Sequence, residues 1–115
     1  RTRQGDCTEH AVLLAAMLRC ADIPSRVVSG LIYVDRCMDE SDVFGYHMWT
    51  QAWVTDPARK QGRWIDLDAA LADAPFDAAH IALATGTMSD RDLTNDLVAL
   101  VPLIGRLKIE MVDAP

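Results

Sequence analysis

The sequence predicts an α+β domain, and three observations carry that prediction. An unbroken apolar stretch from Ala11 to Leu18 marks a helix near the N-terminus. Three segments rich in β-branched and aromatic residues follow between Arg26 and Asp68. The last two of these are joined by a short turn, as in an antiparallel hairpin.

Cys7 to Cys20 reads as the helix. Gly5-Asp6 forms a turn before it, Asp6 can cap it, and Glu9 stands at the capping-box distance. Because every residue from Ala11 to Leu18 is apolar, the helix is expected to be buried on all sides. It should end near Asp22, since Pro24 disfavours helix in the residue before it. Arg26 to Val34 suits a strand buried on both faces. Asp35 to Gly45, with Asp35, Asp39, Glu40, Ser41 and Asp42, reads as a solvated loop. It lacks the glycine and closing glutamate of an EF-hand calcium site.

Tyr46 to Val54 is the second strand, and Asp56-Pro57 and Gly62 turn the chain into the third, Arg63 to Asp68. The following residues are Ala-rich and read as irregular up to Thr87. Ser89 and Asp92 open a helix over 90–100, and Leu107 to Val112 alternates as a half-exposed strand.

The bulk numbers bound the function. At 115 residues and 50% apolar, the chain is one small domain with material for a core. A net charge of −6 with scattered basic residues argues against a nucleic-acid partner. The apolar stretches are too short to span a bilayer. Three cysteines, Cys7, Cys20 and Cys37, leave at least one thiol free, and no pair has zinc-ligand spacing.

Cys7 falls in the first helical turn, where the positive end of the dipole favours the thiolate. A small cysteine that only packs is the competing explanation. Cys20 reads as core and Cys37 as a surface thiol. His47, Trp49, Gln51 and Trp53 share one strand face, so His47 can be held beside an aromatic ring and act as a base. An interior histidine satisfied by hydrogen bonds is the competing explanation, and for a lone histidine the simpler one.

Trp64, Asp66 and Asp68 share a face of the third strand, and alternation lets either aspartate reach the far nitrogen of His47. Asp68 could instead cap Ala69-Ala70-Leu71, and Asp66 could be a solvated strand charge. Cysteine at a helix start followed by histidine and aspartate forms a candidate nucleophilic set. Two rival sets are a zinc site using Cys7, His10 and His47, and a binding domain without catalysis.

Gly5-Asp6-Cys7-Thr8-Glu9-His10-Ala11 resembles the nucleophile motif of the transglutaminase-like family. Leu18-Arg19 with Ile23-Pro24-Ser25-Arg26 resembles the segment that closes its helix. His47-Met48-Trp49 resembles its histidine motif, and Arg63-Trp64-Ile65-Asp66-Leu67-Asp68 its tryptophan-plus-aspartate motif. Asp77-Ala78-Ala79-His80-Ile81 is similar to a stretch that follows in bacterial members. Asp22 stands where the family usually has glycine, which bears on the helix end and not on the chemistry. Ala69-Ala70 replaces the usual Pro or Thr.

The resemblance implies a papain-like transglutaminase core, with a buried Cys-bearing helix on an antiparallel sheet that bears His and Asp. It implies Cys7, His47 and Asp68 as catalytic residues, because the family's aspartate comes four residues after the tryptophan. Asp66 is the alternative third member, and Trp49 and Trp64 are supporting residues. No cofactor and no metal are implied. The implied chemistry is thiol acyl transfer on a protein or peptide amide, resolved by water or by an amine, with hydrolysis preferred. The chain is then expected to be a single core cut from a longer protein whose upstream part supplies the second oxyanion donor. Gln4 is too close to Cys7 to serve. The compartment stays open between bacterial periplasm or envelope and cytoplasm, as does the oligomeric state.

Overall fold

The computed structural model describes residues 7–37, 40–73, 75–88, 98, 100–103, 105–110 and 112–113, and of 35–37 and 40–42 the backbone. Among these residues one helix packs on a four-stranded antiparallel sheet, an α+β fold. The elements in chain order are α1 (Cys7–Cys20), β1 (Ser25–Cys37), β2 (Glu40–Asp56), β3 (Gln61–Leu67) and β4 (His80–Gly86). The spatial order is β3-β2-β1-β4, so the last strand returns to pair with the first. No helix among the described residues is long and apolar enough to cross a membrane.

α1 keeps the expected limits, and its end has a specific construction. Asp22 takes the left-handed conformation at φ 61°. The N–H of Ile23 then bonds Leu18 O at 2.9 Å and that of Asp22 bonds Arg19 O at 3.0 Å, the paired bonds of a Schellman stop. Arg19 ties this end to the sheet by donating to Ser25 O and Thr87 O.

The expectation of a helix buried all round is corrected. Ala11 and Ala15 are buried, but Leu13 and Met17 are 62% and 60% exposed, and Cys20 lies in solvent rather than in the core. One sheet can cover only one side of a helix, and no second layer among the described residues covers the other. The buried side packs Ala11 and Ala15 on Val27 and Met48. Two hydroxyls of the sheet bond helix carbonyls there, Ser25 Oγ to Ala15 O and Thr50 Oγ1 to Ala11 O, each at 2.8 Å.

β1 and β2 continue through most of the segment read as a loop, pairing as far as Cys37 with Glu40. Backbone pairing in a long hairpin prevails there over the low strand propensity of the acidic side chains. β4 was read as irregular, because alanine and glycine carry little strand signal. It pairs with β1 from Val27 opposite Gly86 to Ile32 opposite His80, with an irregularity between Ser29 and Gly30. A Cβ at Gly30 would collide with Ile81 O and with the Trp49 ring. The expected strand at Leu107 is not formed: residues 107–110 have no regular structure. The Asp6 cap, Asp39 and nearly all of the helix expected over 90–100 lie outside the described residues; Val98 and Leu100 are helical.

Candidate active site

Met48 and Thr50 pack against α1, and His47, Trp49, Gln51 and Trp53 alternate with them along β2. The register of β2 with β3 sets Gln51 opposite Asp66 and Trp53 opposite Trp64. β3 ends at Leu67, and Asp68 follows as the N-cap of a single 3-10 turn, Ala69–Leu71.

Asp68 meets His47. The distance from His47 Nε2 to Asp68 Oδ2 is 2.6 Å, and the two side chains are 9% and 4% exposed. An ionised carboxylate only accepts, so Nε2 carries the hydrogen and Nδ1 is left as the basic nitrogen of the neutral ring. Asp68 also does the capping that its position suggested, since Oδ1 accepts from Ala70 N–H at 3.1 Å. Burial pushes the Asp68 carboxyl up. The hydrogen bonds from His80 and His47, with the charges of both rings, more than offset this and hold it below the ordinary aspartate value.

Asp66 faces other partners. Its Oδ1 accepts from Trp49 Nε1 at 2.9 Å and from Gln51 Nε2 at 2.7 Å, and Gln51 Oε1 in turn accepts from Arg26 Nε at 2.7 Å. It is therefore half-buried and bonded, not a solvated strand charge. Trp49, fully buried, lies 6.1 Å from the His47 ring in a near-parallel stack. Trp64 lies farther along the same face, against Trp53 and beneath the Arg26 guanidinium, and not against His47.

Cys7 is the first helical residue of α1 and is half-buried. Cys7 and His47 line one cavity of about 200 Å³, together with Gly30, Tyr46, Met48 and Leu100. No hydrogen bond joins Cys7 Sγ to His47 among the described residues. Gln4 lies outside them.

The structure adds a residue to which the sequence reading gave no role. His80 Nε2 lies 2.8 Å from the same Asp68 Oδ2 that His47 contacts. The signal available in the sequence was Asp77 three residues earlier. Its carboxylate takes Ala79 N–H and its carbonyl takes His80 N–H, a tight turn that starts β4 with the ring inward. The atoms of His47, Asp68 and His80 are also close enough to share a metal ion. The contacts of 2.6 and 2.8 Å to one oxygen are the lengths of N–H···O⁻ hydrogen bonds. The zinc set of Cys7, His10 and His47 is not among the groups of described residues that could hold a metal.

The sequence model of a family described as the transglutaminase-like superfamily matches residues 1–69, a stretch that contains α1, β1, β2, β3, Cys7, His47 and Asp68. No curated protein and no solved structure matches the chain.

Proposed function

The chain belongs to the transglutaminase-like superfamily, and from that premise we propose that Cys7, His47 and Asp68 hydrolyse amide bonds of a protein or peptide through a thioester. At the family level the membership supports cysteine-dependent acyl transfer or hydrolysis. The finer reading draws on one observation: His47 is bonded through Nε2 to a buried carboxylate while it lines a cavity with Cys7.

The steps follow from those positions. The Cys7 thiolate, at the positive end of the α1 dipole, attacks the carbonyl carbon and forms a C–S bond. His47, protonated at Nδ1 by the thiol proton, gives that proton to the leaving nitrogen as the C–N bond breaks. Asp68 keeps the ring in the Nε2–H tautomer and stabilises the imidazolium. Water then gives its proton to His47 and its oxygen to the thioester carbonyl, which releases the acid and restores the thiol. The Cys7 backbone N–H supplies one donor to the developing oxyanion.

A protein-binding domain without turnover is the competing reading, favoured by the lack of a Cys7–His47 hydrogen bond. The experiment that separates them incubates the protein with a library of peptide thioesters and amides. Products and labelled thiols are then located by mass spectrometry. Hydrolysis with acyl label on Cys7, lost in Cys7→Ala and retained with Cys20→Ser, supports the proposal. Tight peptide binding with no acyl label and no product sinks it. Products carrying an added amine in place of water move the assignment to transamidation.

A further inference from the structure

Asp68 has two imidazole partners, and the reaction proposed above uses one of them. We propose that His80 is a positioning residue for that reaction: its Nε2–H clamps Asp68 so that the carboxylate holds His47 in the Nε2–H tautomer. The proposal rests on the roles given to Cys7, His47 and Asp68 above. It goes beyond them, because His80 takes no part in the steps given there.

The hydrogen-bond count at Asp68 is the first support. Oδ2 takes His47 Nε2–H at 2.6 Å and His80 Nε2–H at 2.8 Å, and Oδ1 takes Ala70 N–H at 3.1 Å. A carboxylate held only by His47 could turn about its Cβ–Cγ bond and follow the ring. Three donors on two oxygens leave it one orientation. The ring it guides must stay within a few tenths of an ångström of productive geometry, so this rigidity has a kinetic consequence.

The second support is that His80 is itself immobilised. Its side chain is 4% exposed. Phe76 stacks on the ring at 4.0 Å between centroids, and Trp49 meets it edge-on at 5.2 Å. Nδ1 lies 3.2 Å from Asp77 Oδ1 and 3.3 Å from Asp77 O, both acceptors, so a ring that carries hydrogen on both nitrogens is tethered at each end. Pairing of His80 with Ile32 fixes the backbone behind it. A residue that only filled space would need neither tether.

The third support is electrostatic. Burial raises the Asp68 carboxyl, and the His80 hydrogen bond heads the contributions that lower it, ahead of that from His47. Among the described residues, the titratable groups facing His80 are Asp68, Asp77 and the His47 ring, 5.8 Å away. Phe76 and Trp49 carry no charge.

The test uses His80→Leu and His80→Gln in the whole protein. Glutamine keeps an N–H donor of similar reach and does not titrate. Two readouts are taken: the His47 tautomer by ¹H–¹⁵N NMR, and kcat and KM against pH on an amide substrate. In His80→Leu the Nε2–H signature of His47 is expected to give way to a tautomer mixture. Its kcat should fall about a hundredfold at unchanged KM. The acid limb of kcat should move to higher pH, because Asp68 takes up its proton sooner. His80→Gln should restore the tautomer and most of kcat. A His80→Leu protein that keeps the wild-type His47 signature, or that loses only thermal stability, overturns the proposal, as does a His80→Gln no better than leucine. A wild-type protein without Cys7-dependent turnover overturns the proposed function instead, and the tautomer measurement still decides this inference.

Discussion

On the helix side of the sheet, buried polar groups work one to one. Ser25 and Thr50 each give one hydroxyl hydrogen to one carbonyl of α1, in a layer otherwise made of Ala11, Ala15, Val27 and Met48. Around the two aspartates of the β3 end, partners are shared. Asp66 takes Trp49 and Gln51 on one oxygen, and Asp68 takes His47 and His80 on one oxygen. The first arrangement removes the cost of burying hydroxyls while fixing the helix over the sheet. The second gathers donors around two carboxylates, which keeps negative charge inside at a chosen place. The two aspartates then differ in what they hold: Asp66 holds a tryptophan and a glutamine, and Asp68 holds two bases.

That contrast can be broken first at Asp68. Asp68→Asn is expected to lower kcat by about 10⁴, because the amide can donate its N–H to Nε2 and so favour the tautomer with hydrogen on Nδ1, which cannot act as the base. Steady-state kinetics with circular dichroism to check folding will measure it. Asp66→Asn keeps an acceptor for Trp49 and Gln51 and should leave kcat near wild type; a large loss there would erase the distinction. Asp66→Ala orphans both donors and should cost about 1–3 kcal/mol in denaturant unfolding, with the rate much less affected.

Acid offers a finer probe. The folded Asp68 carboxyl lies below the ordinary value of 3.8. Its stabilising contribution is therefore complete above that value and disappears as pH falls through the lower folded value. Unfolding free energies of wild type and Asp68→Asn should converge as pH drops below about 4. Parallel curves would show that Asp68 does not carry this contribution. The smallest effect is expected on the helix side. Thr50→Val should cost about 1 kcal/mol and leave kcat unchanged, since Ala11 O keeps a partner within the helix.

α1 and the cores of β1, β2 and β3 could be read from the sequence because apolar runs and turn residues agree there; β3 runs from Gln61 to Leu67 rather than from Arg63 to Asp68. The left-handed Asp22 was legible too, as the residue standing where glycine would end the helix. β4 was not, since Ala82, Ala84 and Gly86 owe their strand to pairing with β1 and not to propensity. Nor was the open side of α1. An apolar helix says that it can be buried, while only the number of layers says how much is.

At the site, alternation left Asp66 and Asp68 equal. What separates them in space is the end of β3 at Leu67, which frees Asp68 to cap a turn and reach diagonally to His47. Trp64 sits two residue pairs farther along and joins Trp53 and Arg26 instead. The turn before His80 was legible in Asp77, but its contact with Asp68 was not, because that is set by a strand crossover that no local pattern encodes.

The return of the last strand to the first also sets an order of assembly. β2 and β3 form a hairpin with a short turn, so His47 and Asp68 come together by closing a small loop. His80 reaches Asp68 only after the chain has passed from β3 across β2 and β1 to set β4 on the far side of β1, with His80 opposite Ile32. Loop-closure entropy makes that the later event. A nascent or partly unfolded chain can thus hold its base and carboxylate together before the second imidazole locks them, so the docking of β4 completes the site last.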